Sequence, residues 1–296
     1  VTGPGDTVAL ITPAGPVAAE RIDGAVAALE AWGLTVKRFT GTRHPDIPYL
    51  ADTDARRAED FAAAWLDPAI SAVISARGGY GTQRMLDLVD WSALRQAGPK
   101  IFTGSSDVTA LHEAIATHLG LPTLFSPMPA GTFWDDDAAV RMRQVLFGAD
   151  VTLTATEALV PGTASGTTVG GNLSLLTAGV GAAEHRRPDG GIALLEDIGE
   201  APYRIDRMLT QLLRSGWFDG VTGVVLGSWT DCGDVRPVLV ERLAPLGVPV
   251  LWGVQFGHRP GAATIPLGVG ATIDAASLNV RVCGIPRHET GSRQHG

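Results

Sequence analysis

Residues 100–109 read KIFTGSSDVT, an apolar strand-like run followed by a glycine, two serines and the start of a helical pattern. A serine on such a bend stands at the carboxyl edge of a parallel sheet. Its hydroxyl is exposed, and the following backbone N–H groups turn toward an incoming oxyanion. That arrangement suits attack on a carbonyl, with Ser106 as the candidate nucleophile. The familiar elbow is G-x-S-x-G, and Val108 stands where its second glycine would be. Ser and Asp are also favoured helix N-caps, and that plain role explains the motif equally well by itself.

A second strand-to-helix loop, Arg77-Gly78-Gly79-Tyr80-Gly81, follows the β-branched run 71–75. Glycines there let backbone approach a ligand closely. A phosphate cradle is disfavoured, because a G-x-G-x-x-G pattern from Gly79 meets Arg84 at its third glycine and no Gly-Lys-Ser/Thr follows. The loop reads instead as a backbone donor opposite Ser106, or as an ordinary tight turn. A nucleophilic serine also needs a base. Of the seven histidines, His112 and His118 are six apart and face different sides of one helix. They lack the spacing of a zinc pair. His288 and His295 fall in a polar tail, whereas His258 sits in Gly257-His258-Arg259-Pro260-Gly261 just after a strand, where catalytic groups collect. A surface-loop histidine would look the same. For the carboxylate that would orient the base, Glu196 follows the apolar run 192–195, with Asp197, Glu200 and Asp206 as rivals. Complementing the next helix's dipole explains Glu200 or Asp206 better than Glu196. Asp135, Asp136 and Asp137 read as a helix cap rather than a metal site.

These groups need a scaffold. The chain has 296 residues, 45% hydrophobic and 18% charged, enough for two modest domains with a real core. Its net charge of −8 without a basic cluster argues against nucleic acid as partner. Two cysteines, Cys232 and Cys283, suit a reducing compartment. The opening residues show no basic or apolar leader, and no run is long enough to span a membrane, so a cytoplasmic protein is expected. Strands near 7–11, 34–39, 71–75, 100–103 and 123–125 alternate with helices, which predicts a parallel sheet with helices on both faces. Residues 150–166 lose the helical period and read as a linker or crossing strand. Beyond them a second βαβαβ run is expected. It includes an amphipathic helix with Ile205, Met208, Leu209, Leu212 and Leu213 on one face and Gly216 after its end. The expected organisation is therefore α/β: an N-terminal domain over 1–149, a linker over 150–166, a C-terminal domain over 167–290 and a tail over 291–296.

Read in order, several segments resemble the LD-carboxypeptidases, the S66 serine peptidases. They are Thr12-Pro13-Ala14-Gly15-Pro16, Arg77-Gly78-Gly79-Tyr80-Gly81, Gly104-Ser105-Ser106-Asp107, Gly170-Gly171-Asn172-Leu173, Leu195-Glu196-Asp197 and Gly257-His258. The resemblance implies a Ser106–Glu196–His258 triad, with the backbone N–H groups of Gly79 and Asp107 as oxyanion hole. It implies an amidotransferase-like parallel-sheet domain plus a smaller C-terminal α/β domain, with the active site at their junction. It also implies a homodimer, no metal or other cofactor, and a muropeptide substrate cut at the L,D-bond to terminal D-alanine. Ser105 stands where an aromatic residue is common, and Ala14 where a serine is common. Both departures bear on the pocket wall. Microcin-C immunity peptidases resemble the chain too; they would want an aromatic platform for a nucleotide, none is assignable in this sequence, and whether Trp134 or another tryptophan lines the cleft beside Ser106 discriminates the two readings. A non-catalytic peptide-binding module is the reading from another class, and it would have no need of all three triad residues.

Overall fold

The computed structural model describes residues 2–41 and 43–285. The expected tail, with His295, and the last residues of the expected C-terminal domain, with His288, lie outside them. In chain order the elements are β1 (Thr7–Ile11), α1 (Ala19–Glu30), β2 (Thr35–Phe39), α2 (Asp54–Leu66), β3 (Ile70–Ser75), α3 (Thr82–Met85), α4 (Trp91–Ala97), β4 (Ile101–Gly104), α5 (Thr109–His118), β5 (Thr123–Phe125) and α6 (Asp136–Leu146). There follow β6 (Val151–Thr154), β7 (Glu157–Val160), β8 (Thr163–Asn172), α7 (Leu173–Ala178), β9 (Gly191–Ile198), α8 (Pro202–Arg214), β10 (Val221–Thr230), α9 (Arg236–Leu243), β11 (Val250–Trp252), β12 (Ile265–Leu267), β13 (Gly270–Asp274) and β14 (Asn279–Val282).

The first sheet has six strands in the order β12-β5-β4-β3-β1-β2. Strands β1 to β5 run parallel, and β12 closes the edge antiparallel to β5. Period-two alternation sends Val8 and Leu10 to one face, against Ile22, Val26 and Leu29 of α1. Ala9 and Ile11 go to the other, with Phe61 and Trp65 of α2 and Leu111 and Ile115 of α5. Full burial of each such side chain stabilises the fold by about 1.5–3 kcal/mol before conformational entropy is charged. Helix α2 is started by Thr53, whose Oγ1 accepts from the Arg56 N–H at 3.2 Å, and stops before Pro68.

The second sheet has eight strands in the order β6-β14-β13-β8-β9-β10-β11-β7. Strands β8 to β11 are parallel, and the others pair antiparallel around them. Ala193 and Leu195 face Ile205, Leu209 and Leu212 of the amphipathic α8. Ile192, Leu194 and Val225 join the same core as Leu124 and Phe125 of the first sheet. The two sheets are therefore welded through a shared apolar layer.

Residues 150–166 are not a bare connection. They hold β6, β7 and the opening of β8, all within the second sheet. In β6, Val151 and Leu153 are buried while Thr152 and Thr154 are exposed, the signature of a half-buried strand. Likewise β12 belongs to the first sheet although it follows most of the second, so the chain crosses to the first sheet and returns to add β13 and β14 to the second.

Candidate active site

Ser106 follows β4 and opens a single 3-10 turn that leads into α5. Its φ is +62°, in the left-handed region that side chains other than glycine avoid. Such a conformation costs on the order of 1 kcal/mol or more and turns the side chain out of the sheet edge. The bend is braced from behind. His112 is fully buried and bridges the Gly104 carbonyl (Nε2 to O, 2.9 Å) and the Thr123 hydroxyl (Nδ1 to Oγ1, 2.8 Å). Burial holds its pKa down to about 4, so it stays neutral, with Nε2–H donating and Nδ1 accepting. Val108 also fits the bend: a Cβ on Gly104 would sit 2.6 Å from its Cγ2.

The glycine loop lies against this bend. A Cβ on Gly78 would stand 3.0 Å from the Ser106 Cβ and 3.2 Å from its Oγ, so only a residue without a side chain allows the approach. Gly79 takes φ +124°, with its Cα packed on Gly15. Two charged groups pin the loop's far end. The buried Arg57 donates from Nη1 to the Gly81 carbonyl at 2.8 Å and to the Pro13 carbonyl, and pairs with Asp54. The buried Asp107 carboxylate receives the Thr82 N–H and hydroxyl. Sequence reading missed Arg57, because an arginine inside a helical pattern looks like any solvated one.

Glu196 stands near the carboxyl end of β9, within its buried run, and is fully enclosed. Its Oε2 accepts from His258 Nδ1 at 2.7 Å and from the His258 N–H at 3.1 Å. Its Oε1 accepts from Asn172 Nδ2 at 3.2 Å. Strand register makes this possible, since Asn172 of β8 lies directly beside Glu196 in the parallel pair. Asn172 also caps α7 through Oδ1, which fixes its amide orientation and leaves Nδ2 for Glu196 and for Asp197 Oδ1 at 3.1 Å. Asp197 points elsewhere, with Oδ2 bound to the Ser174 N–H and hydroxyl at 2.9 and 2.7 Å. Burial and the neighbouring Glu196 charge push its carboxyl up, against those hydrogen bonds. Glu200 and Asp206, the other rivals, face Arg204 and Arg242.

His258 is held from three sides. Thr230 donates its hydroxyl to the His258 carbonyl, Phe133 meets the ring edge-on at 5.9 Å, and Asp135 Oδ2 accepts from the Gly261 N–H at 2.8 Å. Asp135 also caps α6 through Oδ1, the role expected for it, and so ties the histidine loop to the N-terminal half. Burial works against the imidazolium, but the Glu196 carboxylate outweighs it, and His258 titrates above its ordinary value. With Nδ1 facing the carboxylate, Nε2 has no protein partner among the described residues.

Ser106 and His258 line one cleft of about 220 Å³, together with Arg77, Gly78, Gly79, Ser105, Met128, Phe133 and Ile198. Of the expected site residues, Ser106, Gly79 and His258 thus share one cleft, Glu196 stands behind His258, and Asp107 follows Ser106 with its side chain turned to Thr82. Of the two departures from the family pattern, Ser105 lines the cleft, while Ala14 is fully buried outside its lining. Trp134 packs on Trp32, with ring centroids 6.1 Å apart, and the aromatic lining the cleft is Phe133. The other described histidines lie elsewhere: His44 accepts turn N–H groups, His118 meets Glu184, and His185 lines a separate cavity beside Glu113. Among the described residues no group of three His, Cys, Asp or Glu side chains is placed to hold a metal. No helix among them is long and apolar enough to cross a membrane. Cys232 and Cys283 are unbonded.

Comparison with known proteins gives this site its relatives. Residues 8–126 match the model of the LD-carboxypeptidase N-terminal domain, and residues 165–273 that of its C-terminal domain. A Streptomyces coelicolor relative named "Putative carboxypeptidase" is 52% identical, over 92% of this chain and 91% of its own. The murein tetrapeptide carboxypeptidase of Pseudomonas aeruginosa is 31% identical, over 92% and 94%. The microcin C7 self-immunity protein MccF of Escherichia coli is 27% identical, over 94% and 93%. The crystal structure of muramoyltetrapeptide carboxypeptidase from Oxalobacter formigenes superposes with a TM-score of 0.86 at 28% identity, covering 95% of this chain and all of that one. Fold and relatives together define a peptidase-type hydrolase with two α/β domains. The chain belongs to the LD-carboxypeptidase family.

Proposed function

We propose that this protein is a serine carboxypeptidase that cleaves the L,D-amide bond to the terminal D-alanine of murein tetrapeptides, as a step of peptidoglycan recycling in the cytoplasm. Ser106 is its nucleophile, His258 its general base and Glu196 the carboxylate that orients the base. One observation carries the reading: the enclosed Glu196–His258 contact of 2.7 Å opens onto the same small cleft as the left-handed Ser106.

In this mechanism His258 Nε2 removes the Ser106 proton while Oγ bonds to the carbonyl carbon of the scissile amide. The resulting oxyanion faces the backbone N–H groups of Gly79 and Asp107, each such donor being worth ~10²–10³ in turnover. The imidazolium, stabilised by Glu196, gives its proton to the amide nitrogen as the C–N bond breaks and D-alanine leaves. Water then attacks the ester carbon, passing its proton to His258, and Ser106 leaves with that proton restored. The shortened peptide departs as a carboxylate. No bound cofactor enters these steps.

The names of the Pseudomonas and Oxalobacter relatives support the muropeptide substrate. The position of Trp134, packed on Trp32, supports it over an aminoacyl-nucleotide amide. Side-by-side kinetics on a synthetic murein tetrapeptide and on an aminoacyl sulfamoyl adenosine test the choice. The tetrapeptide is expected to be the better substrate by kcat/KM, and preference for the nucleotide compound would reverse the assignment.

A further inference from the structure

We infer that Arg77 selects substrates that end in a free carboxylate, by pairing with the C-terminal carboxylate of the residue about to be released. The inference rests on the carboxypeptidase reading above and adds the group that makes the enzyme cut at a chain end.

Among the described residues, Arg77 is the one Arg or Lys that lines the cleft, and no Asp or Glu lines it. The only other ionisable group there is His258, which is committed to Glu196. The chain carries a net charge of −8, so an anionic peptide end meets an unfavourable field unless a local cation offsets it. Arg77 is placed to do so. It directly precedes Gly78, where an added Cβ would meet the Ser106 side chain at 3.0 Å, so its Cα stands one peptide (about 3.8 Å) from the residue that lies against the nucleophile. Its Nη1 donates to the Pro16 carbonyl at 2.9 Å, which holds the guanidinium on the rim. Nε and Nη2 have no protein partner among the described residues and remain for a bidentate pair with a carboxylate.

The size of the cleft agrees. At about 220 Å³ it is smaller than the ~300–1,000 Å³ typical of small-molecule pockets, which suits one terminal residue rather than a through-running chain. Small or apolar groups, among them Gly131, Met128 and Ile198, form much of the remaining wall and match an alanine methyl better than a charged side chain.

The test compares a synthetic murein tetrapeptide ending in D-alanine with the same peptide ending in D-alaninamide. Wild type, Arg77→Gln and Arg77→Lys are assayed for kcat/KM on both. Wild type should prefer the acid, and Arg77→Gln should lose about 10- to 100-fold on the acid while changing little on the amide. Arg77→Lys should keep part of the preference, because charge survives without the fork. Equal losses on both peptides, or a wild type indifferent to the terminal carboxylate, would overturn the assignment. The Ser106→Ala variant, titrated with both peptides by calorimetry, makes the same comparison without turnover. Failure of wild type to hydrolyse either peptide would count against the L,D-peptidase reading. Equal affinities of Ser106→Ala for acid and amide would count against the role of Arg77.

Discussion

Asp107 Oδ2 receives two hydrogen bonds from Thr82, one from its backbone N–H at 2.8 Å and one from its Oγ1 at 2.5 Å. The two residues belong to the two loops that meet at the candidate nucleophile: Asp107 follows Ser106, and Thr82 ends the glycine loop that begins at Gly78. In the proposed mechanism those loops supply one oxyanion donor each. The carboxylate therefore sets the distance between the two donors. Replacing Asp107 by Ala leaves the buried Thr82 groups unpaired and should destabilise the fold by about 1–3 kcal/mol. Turnover of the folded variant should fall up to ~10²–10³-fold, the loss expected for one oxyanion donor, with KM less affected. Urea unfolding and steady-state kinetics read the two effects separately. A folded Asp107→Ala protein with wild-type kcat would rule out this coupling.

The raised pKa of His258 has a direct kinetic consequence. In the proposed mechanism the base works only when neutral, so activity should be lost as pH falls through its folded pKa. Burial lowers that value and Glu196 raises it, with the rise prevailing. The acid limb of the kcat/KM profile should lie above the ordinary histidine value of about 6.5. Glu196→Gln removes the anion that favours the imidazolium, so the limb should move to lower pH while the plateau drops. The same shift makes His258 stabilising at low pH, a contribution that fades as pH rises through the folded pKa. An acid limb at or below 6.5 in wild type would contradict the pairing.

His112 has the opposite sign. Its folded pKa is about 4, below the unfolded value, so the unfolded chain binds a proton first as pH falls. Stability is full above about 6.5 and drains away toward pH 4, by on the order of 3 kcal/mol in total. Denaturation midpoints of wild type and His112→Asn across that window should converge toward the acid end. Parallel curves would show that His112 is not buried as a neutral ring.

Two glycines at the site are steric requirements. Gly257 has φ +92°, and a Cβ there would fall 2.5 Å from Glu196 Oε2. Gly257→Ala should cost about 1–3 kcal/mol of stability through strain. By displacing the His258 ring it should also slow turnover ~10²-fold. Gly78→Ala crowds Ser106 without a forbidden φ, so it should lower kcat with little change in melting temperature. The contrast between the two variants is readable by calorimetry alongside kinetics.

The parallel strands β1 to β5 were legible because each is a short apolar run bounded by a turn and followed by a helical pattern. Helix α8 was legible because Ile205, Leu209 and Leu212 repeat at helical spacing and are all buried. The place of strand β12 in the first sheet was not legible. Pro266 removes a ladder donor there, and sheet membership depends on pairing with Leu124, more than a hundred residues earlier. Strand β6 was hidden in a segment whose alternation spans only four residues. At the site, the types of Ser106, Glu196 and His258 could be picked out, and the helix dipole accounted for Glu200 and Asp206, yet Asp197 was separated from Glu196 only by resemblance. The supports of the site were invisible for a common reason. Asn172 reaches Glu196 through strand register, Arg57 reaches Gly81 across 24 positions, and Asp135 reaches Gly261 across 126. No local pattern encodes such contacts.

Release of D-alanine from a synthetic murein tetrapeptide, followed by mass spectrometry, tests the central claim most directly. Wild type, Ser106→Ala and chelator-treated wild type would be run together, with folding checked by circular dichroism. The account predicts stoichiometric D-alanine from wild type, unchanged by the chelator, and none from Ser106→Ala. Intact tetrapeptide in the presence of well-folded wild type, or undiminished release by Ser106→Ala, would contradict it.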